Sequence, residues 1–278
     1  IVSDWVLVAV DAEVRLQVNM INLMLGDCLE RMKEIPDGSV DLILTDPPYG
    51  TTACKWDSVI PLEPMWNELK RIIKPNGAIV LFGAEPFSSI LRCSNLKMYK
   101  YDWVWNKTKT QHFAQAPYRP MTEHELISVF SYGGNAKNAD PRLVYNPQGL
   151  VKCHKVCKGK KAAHSEHRVR LTDQADYIQE WTNYPTTILK FASEGNTVHP
   201  TQKPVALMEY LIKTYSNEGE IVLDFTMGSF TTAIACLNTK RSFIGIELDE
   251  HYFKVGKERL EKHLSILDYT LEIVCNQT

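Results

Sequence analysis

The sequence predicts an α/β fold with one doubly wound sheet and an insertion between its two halves. Apolar runs of strand length alternate with helix-like segments at both ends of the chain, and acidic residues directly follow several of these runs. The middle of the chain lacks this alternation. Alternating strands and helices are typical of an α/β sheet that binds ligands at the carboxyl ends of its strands. With 278 residues, of which 44% are hydrophobic, the chain is long enough for one large domain.

The first half contains five apolar runs of strand length and two helical segments. The runs are bounded by polar or turn residues, which favours buried strands over helices. The predicted strands are Ile21–Leu25, Val40–Leu44, Ala78–Phe82, Tyr101–Trp105 and Leu126–Tyr132. The predicted helices are Leu62–Ile73, which ends at the turn Pro75-Asn76-Gly77, and a segment around Phe87–Leu96. The last two strands are expected to form a hairpin-like edge.

The last third of the chain returns to the same alternation. Helical spacing predicts helices over Val205–Tyr215, Thr231–Asn238 and Glu250–Leu264. Apolar runs predict strands over Ile221–Phe225 and Ser242–Ile246. A strand, a helix and a second strand in this order form the parallel unit of a doubly wound sheet.

The segment 133–197 is the predicted insertion, because it is rich in Gly, Asn and Pro and has only a weak periodic pattern. Between Val151 and Leu171 it carries seven basic residues and one acid, Glu166, in a chain whose net charge is −2. Such a stretch is either a solvated basic loop or a surface that binds phosphates. The candidates for nucleic-acid contacts are Lys152, Lys155, Lys158, Lys160, Lys161, Arg168 and Arg170.

Composition also indicates where the protein acts. Seven cysteines, an odd number, are scattered along the chain, which favours a reducing compartment. No apolar run approaches the roughly 20 residues that span a bilayer. Residues 1–19 lack the basic region of a signal peptide and are expected to be an extension before a natural start at Met20, or an edge strand. We therefore expect a cytoplasmic protein with no membrane partner.

Three motifs carry the chemistry. Asp46–Tyr49, with the sequence Asp-Pro-Pro-Tyr, directly follows an apolar strand, where the two prolines fix the backbone and project an acid and an aromatic ring. Asp224–Ser229 runs from a strand into a turn and a helix, and the next strand ends at Glu247, an arrangement that suits a nucleoside-bearing cofactor. His199–Pro204 is a rigid polar turn before a helix. Taken singly, each also fits an ordinary turn.

In this order the motifs resemble the amino-methylating DNA methyltransferases, in the permuted group whose catalytic half precedes the cofactor-binding half. The resemblance extends from about Met20 to about Leu264. It implies a Rossmann-like methyltransferase sheet with an inserted target-recognition region, in a protein of bacterial or phage origin. The implied parts are an extension (1–19), a catalytic half (20–132), the insertion (133–197), a cofactor-binding half (198–265) and a tail (266–278).

The resemblance also implies S-adenosylmethionine as cofactor and double-stranded DNA as partner. The implied catalytic residues are Asp46, Pro47, Pro48 and Tyr49. The implied cofactor contacts are Asp27, Cys28, Asp46, Thr201, Gln202, Lys203, Asp224, Phe225, Met227, Gly228, Ser229 and Glu247.

Methylation of an exocyclic amino group explains these residue types. The nitrogen lone pair is delocalised into the base, so the Asp46 carboxylate and Pro47 carbonyl are expected to accept the N–H groups and favour a lone pair that points at the methyl donor. Tyr49 is expected to stack on a base flipped out of the duplex. Methylation at cytosine C5 would instead use a cysteine that follows a proline, and none of the seven cysteines does so.

Several alternatives stay open. Asp rather than Ser before Pro-Pro-Tyr resembles the adenine enzymes more often, which favours adenine N6 over cytosine N4. Phe230 stands where the family usually has glycine, so a DNA-binding relative without catalysis is a second alternative; we expect instead that the ring turns into the core and activity is kept. An RNA methyltransferase is disfavoured by the long insertion. A stand-alone enzyme or the partner of a restriction endonuclease, and a monomer or a homodimer, fit equally.

Two other groups of residues attract attention. Cys153, Cys157, His164 and His167 have spacings at or beyond the limits of zinc fingers and lie among lysines, so no metal site is expected. The candidates to line the pocket are Trp103, Trp105, Phe113 and Tyr118. Because aromatic residues at strand spacing usually belong to the core, we expect Trp103 and Trp105 there.

Overall fold

The computed structural model describes residues 4–9, 19–50, 58–111, 113–159, 163–165, 168–170, 175–195, 197–266 and 270–274. It divides into a larger unit, Ile1–Asn146 with Thr187–Thr278, and a smaller unit, Pro147–Thr186. The strands are β1 (Asp4–Ala9), β2 (Asn19–Leu25), β3 (Val40–Thr45), β4 (Ile73–Gly83), β5 (Tyr99–Gln111), β6 (Thr122–Phe130), β7 (Val151–Cys157), β8 (Ala163–Ser165), β9 (Arg168–Arg170), β10 (Tyr177–Thr182), β11 (Ile188–Lys190), β12 (Ile221–Asp224), β13 (Ser242–Glu247) and β14 (Thr270–Val274). The α-helices are α1 (Cys28–Arg31), α2 (Leu62–Ile72), α3 (Phe87–Ser94), α4 (Val205–Tyr215), α5 (Thr231–Asn238) and α6 (Glu250–Ile266).

The larger unit is built on one ten-stranded sheet, in the order β11-β5-β6-β4-β3-β12-β13-β2-β1-β14. The strands β4, β3, β12, β13 and β2 are parallel to their neighbours within this group. β6 joins β4 antiparallel, and β1 joins β2 antiparallel. Because parallel strands end at the same edge, the segments that follow β2, β3, β12 and β13 lie side by side. The predicted α/β class with a doubly wound sheet is confirmed.

Helices cover both faces of the parallel strands. Side chains alternate between the faces of a strand, so Leu42 and Leu44 of β3 belong to one apolar layer and Ile43 to the other. The layer of Ile43 contains the buried face of α2, with Met65 and Leu69. The other layer contains the buried sides of α4, α5 and α6. No helix in the described ranges is long and apolar enough to cross a membrane.

Several boundaries differ from the prediction, among them the start of β4, the end of β5 at Gln111 and the start of β6 at Thr122. The turn expected at Pro75-Asn76-Gly77 lies inside β4, which begins directly after α2. The pairing with β3 jumps from Val40 opposite Ile73 to Leu42 opposite Ala78, so the residues between form a bulge. The backbone there runs close to β3, since a Cβ on Gly77 would lie 2.7 Å from the Asp41 carbonyl oxygen. The segments predicted as an extension and a tail each supply a strand, and β1 pairs with both β2 and β14.

The smaller unit lies within the segment 133–197 and is narrower than it. Residues on either side belong to the larger unit, where β11 pairs with β5. Inside the smaller unit, β7 and β10 form an antiparallel two-stranded ribbon, and β8 pairs with β9. The segment therefore contains short strands that its weak periodicity did not predict.

Candidate active site

A cavity of about 790 Å³ opens where β2, β3, β12 and β13 end. A volume of this size is typical of sites for ligands with the dimensions of a nucleoside cofactor. All fifteen residues that the sequence analysis assigned to catalysis or cofactor binding line it: Asp27, Cys28, Asp46, Pro47, Pro48, Tyr49, Thr201, Gln202, Lys203, Asp224, Phe225, Met227, Gly228, Ser229 and Glu247. The topology thus brings together residues that are up to 220 positions apart in the chain.

Asp46 follows β3, and its side chain is held from two sides. One carboxylate oxygen accepts a hydrogen bond from the Tyr49 hydroxyl, and the other accepts one from the Lys203 ammonium. The Asp46 main-chain carbonyl accepts a hydrogen bond from the Thr226 hydroxyl at 3.1 Å. The Tyr49 ring stacks on Phe87, with 5.2 Å between the ring centroids. Burial raises the pKa of the Asp46 carboxyl, while the Lys203 charge acts in the opposite direction.

Lys203 is buried between two carboxylates. Its ammonium bonds Asp46 on one side and lies 3.3 Å from Glu125 Oε2 on the other. The second oxygen of Glu125 accepts a hydrogen bond from the Lys107 ammonium, which is also buried. Burial disfavours the charged ammonium of Lys203, but the carboxylates outweigh it and its pKa is raised. Lys203 was predicted as a cofactor contact; it lines the cavity, but its ammonium points at Asp46 and Glu125.

Asp224 ends β12, and hydroxyl and amide groups donate to both oxygens of its carboxylate. Its Oδ1 accepts hydrogen bonds from the Thr45 hydroxyl at 3.0 Å and the Thr226 amide at 3.2 Å, and its Oδ2 accepts one from the Thr232 hydroxyl at 2.5 Å. Burial is the largest influence and raises the pKa of the Asp224 carboxyl to about 7. Asp224 is therefore an acid that changes charge near neutral pH.

Glu247 ends β13 and supports the turn that follows β12. Its Oε2 accepts a hydrogen bond from the Gly228 amide and its Oε1 one from the Asp249 amide, both at 2.8 Å. Gly228 has a φ of +50°, in the left-handed region that favours glycine. Burial raises the pKa of the Glu247 carboxyl. This carboxylate thus orders the backbone of the cavity wall.

Asp27 and Cys28 form the wall after β2. Asp27 caps the short helix α1, because its Oδ1 accepts a hydrogen bond from the Leu29 amide at 2.8 Å. Burial raises the pKa of the Cys28 thiol to about 12. A thiol with such a pKa is not ionised at neutral pH, so Cys28 cannot serve as a thiolate nucleophile.

The turn before α4 is held by Glu194. This carboxylate accepts a hydrogen bond from the Val205 amide at 3.0 Å and another from the Gln202 side chain. His199 packs edge-on against Tyr252 at 4.2 Å between ring centroids, and burial lowers the pKa of its imidazole to about 4. His199 is therefore neutral at physiological pH and lines the cavity opposite Gly228.

Sequence reasoning missed Lys107, Glu125 and Glu194, which line the same cavity. One signal was available for Lys107, because it follows Trp103 and Trp105 at strand spacing and all three are buried. A charged residue in a strand face that is otherwise aromatic and buried indicates that a side chain of opposite charge lies beside it. No comparable signal marked Glu125, whose partners come from β5 and from the turn before α4.

The aromatic candidates divide differently from expected. Trp103 lies in the core as predicted, where its indole N–H donates to the Tyr215 hydroxyl at 2.5 Å. Trp105 is buried in the core as predicted, and it also lines the cavity. Phe113 and Tyr118 do not line the cavity and are 83% and 88% exposed, which corrects their assignment as pocket residues. They follow β5 in the hairpin loop, beyond the last paired residues of the sheet.

The ring of Phe230 turns into the core, as predicted. Phe230 is completely buried, has a φ of +61° and packs edge-on against Phe253 at 5.7 Å. The ring occupies a notch over Gly256 of α6, where a Cβ would lie 2.3 Å from Phe230 Cδ1. Gly228, Ser229 and Thr231 line the cavity, whereas Phe230 does not. The large residue therefore leaves the cavity open.

The basic residues of the insertion are described in part. Lys152, Lys155 and Lys158 are exposed, and the Lys152 ammonium lies 5.6 Å from the centre of the Trp181 ring. Lys160 and Lys161, and the side chains of Arg168 and Arg170, lie outside the described residues. So do His167 and the side chain of His164, whereas the Cys153 thiol donates to the Gln179 carbonyl at 3.2 Å. The described residues contain no cluster of His, Cys, Asp or Glu that could hold a metal.

A family model described as DNA methylase, N6_N4_Mtase, matches residues 40–258. The chain is 31% identical over 248 residues to the DNA adenine methyltransferase YhdJ of Escherichia coli (strain K12), covering 85% of this chain and 81% of that protein. It is 29% identical over 259 residues to the Type II methyltransferase M.HpaI of Haemophilus parainfluenzae, covering 88% of this chain and 76% of that one.

A solved structure shows the same architecture. The crystal structure of the M1.HpyAVI-SAM complex superposes with a TM-score of 0.58 at 28% identity, covering 86% of this chain and all of that one. The similarity therefore extends over most of the chain and is not confined to a single motif.

Proposed function

The chain belongs to the N6/N4 DNA methylase family, and we propose that it transfers a methyl group from S-adenosylmethionine to the N6 amino group of an adenine in double-stranded DNA. The observation that carries this proposal is the position of Asp46–Tyr49, which shares one cavity with Asp224 and Glu247. The Asp before Pro-Pro-Tyr and the similarity to a DNA adenine methyltransferase favour adenine. Cytosine N4 is the second candidate, since its amino group needs the same acceptors.

The residues after β3 would hold the target amino group. Each oxygen of the Asp46 carboxylate has further lone-pair capacity beside its bond to Tyr49 or Lys203, so it can also accept an amino N–H. The Pro47 carbonyl is the second acceptor, and together they favour a lone pair directed away from the base plane. The Tyr49 ring, which stacks on Phe87, would stack on a flipped-out base. No covalent bond to the protein is needed, consistent with the un-ionised Cys28.

The charges of the cavity fit the cofactor. S-adenosylmethionine supplies an electrophilic methyl group on a positively charged sulfonium, and it also carries an ammonium group. Besides Asp46 and the lysine-paired Glu125, the carboxylates that line the cavity are Asp27, Glu194, Asp224 and Glu247. Among the residues that the structure describes, the lysines that line it are Lys107 and Lys203, and both are neutralised by ion pairs. We propose that Asp224 faces the methionine part and that Asp27 and Glu247 face the nucleoside.

The pH dependence of cofactor binding tests the role of Asp224. Its pKa of about 7 means that the side chain is largely neutral at pH 6 and largely ionised at pH 8. A cationic ligand favours the ionised form, so we expect affinity for S-adenosylmethionine to rise from pH 6 to pH 8, with a proton released on binding. Calorimetric titration in two buffers of different ionisation enthalpy measures both the affinity and the number of protons released. Equal affinity at the two pH values would argue against this placement.

Asp224→Asn is the matched variant. It is expected to bind the cofactor weakly at pH 8 and to lose the pH dependence. Because burial raises the pKa of Asp224 from 3.8 to about 7, the native state binds more protons than the unfolded state in this interval, and stability falls as pH rises. The Asn variant therefore should melt no lower than the parent at pH 8, which separates weak binding from poor folding.

We propose that the smaller unit binds DNA. A two-stranded antiparallel ribbon such as β7–β10 has the dimensions to enter a major groove, and its exposed lysines suit phosphates.

Replacing Lys152, Lys155 and Lys158 together with glutamine should weaken DNA binding and lower the slope of log affinity against log salt by about one for each phosphate no longer neutralised. A control triple variant at exposed Lys33, Lys213 and Lys240 should retain the parent's salt dependence. Equal slopes for both variants would contradict the proposal.

Product analysis tests the function itself. The protein is incubated with unmethylated genomic DNA and S-adenosylmethionine that carries a deuterated methyl group, and the DNA is digested to nucleosides for mass spectrometry. We expect deuterated N6-methyladenine. Deuterated N4-methylcytosine would keep the mechanism and overturn the choice of base. Absence of any methylated nucleoside together with absence of cofactor binding would overturn the proposed function.

A further inference from the structure

Four charged side chains alternate in sign through the interior of the site. The Lys107 ammonium bonds Glu125, Glu125 Oε2 lies 3.3 Å from the Lys203 ammonium, and Lys203 bonds Asp46. Lys107 and Lys203 are 8% and 7% exposed at their side chains, and Glu125 is 14% exposed. The row begins on β5, passes through β6 and the turn before α4, and ends at the motif after β3.

Aromatic rings form the walls around this row. The Lys203 ammonium lies 5.2 Å from the centre of the Phe82 ring and 6.0 Å from that of Trp105, and the Lys107 ammonium lies 5.2 Å from Trp105. Such rings attract a cation and keep water away from it. The ion pairs of these two lysines have a well-defined geometry, because both lysine side chains are more than nine-tenths buried.

The donors of Lys203 are therefore committed. They reach Asp46 and, at 3.4 Å, the Thr201 carbonyl, and the ammonium forms an ion pair at 3.3 Å with Glu125 Oε2. Among the described residues, Glu125 Oε2 has no hydrogen-bond donor in good geometry. This oxygen therefore attracts the Lys203 ammonium by its charge and leaves the ammonium directed at Asp46. A cofactor carboxylate would have to displace one of these acceptors to reach Lys203.

We propose that Lys203 is a positioning residue for Asp46, held in place by Glu125 and Lys107, rather than a residue that binds the cofactor. This inference rests on the proposed function, because it assigns Asp46 the target amino group. Lys203 fixes the orientation of the Asp46 carboxylate and favours its ionised form. The fixed carboxylate of Asp46 then presents its remaining lone pairs in a defined direction, in which they accept the N–H of the target amino group.

The charged and titratable groups around the pair define the expected pH effects. Asp46 is faced by Lys203, Glu125 and Tyr49, and Asp224 lies near enough to interact with it. Lys203 is also faced by His199, which is neutral above its pKa of about 4. The Lys203 charge opposes the effect of burial on the pKa of Asp46, whereas the Glu125 charge adds to it. Removing the two charges should therefore move the titration of Asp46 in opposite directions.

The test compares Lys203→Met, Lys203→Arg and Glu125→Gln in the full chain. For Lys203→Met we expect kcat to fall by about 10²-fold, as for a misplaced catalytic group, and the acid limb of the kcat profile to move up by about one pH unit or more. Lys203→Arg should restore the position of the acid limb and part of kcat. Glu125→Gln should lower kcat while moving the acid limb down. The Kd for S-adenosylmethionine should stay that of the parent in all three.

Lys74→Met is the matched control. Lys74 pairs at 2.6 Å with Asp41, a buried acid at the opposite end of β3 from Asp46. This control removes a lysine from a buried carboxylate outside the cavity, so it should lower thermal stability without changing kcat or the acid limb. If Lys203→Met behaves like this control, or weakens cofactor binding without moving the acid limb, the proposal is overturned.

A second measurement does not depend on turnover. Carbon-13 NMR of protein labelled at aspartate carboxyls, with Asp46→Asn to assign the signal, follows the titration of Asp46 directly. We expect its pKa to move up in Lys203→Met and down in Glu125→Gln. If the parent makes no methylated nucleoside but these shifts occur, the positioning role stands and the proposed reaction fails. If Lys203→Met does not fold, Glu125→Gln decides, and an unmoved Asp46 signal rejects the inference.

Discussion

Replacing Asp46 with alanine is expected to lower kcat for methyl transfer by about 10³-fold, the scale on which one well-placed acceptor or donor acts in a transition state. The physical reason is the loss of the only charged acceptor in the Asp46–Tyr49 motif. With the Pro47 carbonyl alone, the amino nitrogen keeps its lone pair delocalised into the base. Single-turnover kinetics with radiolabelled S-adenosylmethionine measures this step without product release.

The control for Asp46→Ala must separate chemistry from folding. The substitution leaves Lys203 buried beside Glu125 only, and breaking one side of a buried pair costs stability. Asp41→Ala, which likewise removes a buried acid from a lysine, should reduce stability but leave kcat unchanged. An Asp46→Ala protein with parental kcat would remove Asp46 from the mechanism.

The part of the fold that the sequence predicts well is the part fixed by local periodicity. The helices Val205–Tyr215 and Thr231–Asn238 have the predicted bounds, and Pro204 stands directly before the first of them. The bulge in β4 was missed, since Pro75-Asn76-Gly77 has the composition of a turn and only its approach to β3 keeps it in the sheet. The strands of the insertion were missed for a related reason, as they are short and exposed on both faces.

The site was predictable to the extent that topology, rather than side-chain packing, brings residues together. Asp46, Asp224 and Glu247 each lie at the end of a parallel strand, so the sheet alone places them at one edge. Glu125 comes from an antiparallel strand, and its position beside Lys203 depends on the pairing of β6 with β5 and β4. No local pattern specifies the register of that pairing, which is why the charged row was found only in three dimensions.

The second large effect concerns Phe230. Phe230→Ala is expected to lower the free energy of unfolding by about 3–5 kcal/mol, because it empties a fully buried aromatic site. Phe230→Gly should lose about 1 kcal/mol less, since glycine accepts the φ of +61° without the strain of a Cβ. Urea unfolding measures both. Because the ring lies outside the cavity lining, cofactor affinity per folded molecule should be that of the parent. A glycine variant that binds the cofactor orders of magnitude more tightly would show instead that Phe230 obstructs the site.

A double-mutant cycle with Gly256 tests whether the Phe230 ring and the notch over Gly256 are energetically coupled. In the parent, Gly256→Ala places a Cβ 2.3 Å from Phe230 Cδ1, so we expect a loss of about 1–3 kcal/mol from overpacking. In the Phe230→Ala background the same change meets no ring, and the better helix propensity of alanine should make it neutral or stabilising. The cycle should therefore give a coupling of about 1–3 kcal/mol between the two positions. Additive losses would mean that the two positions are not coupled, and that the absence of a Cβ at Gly256 is not what accommodates the Phe230 ring.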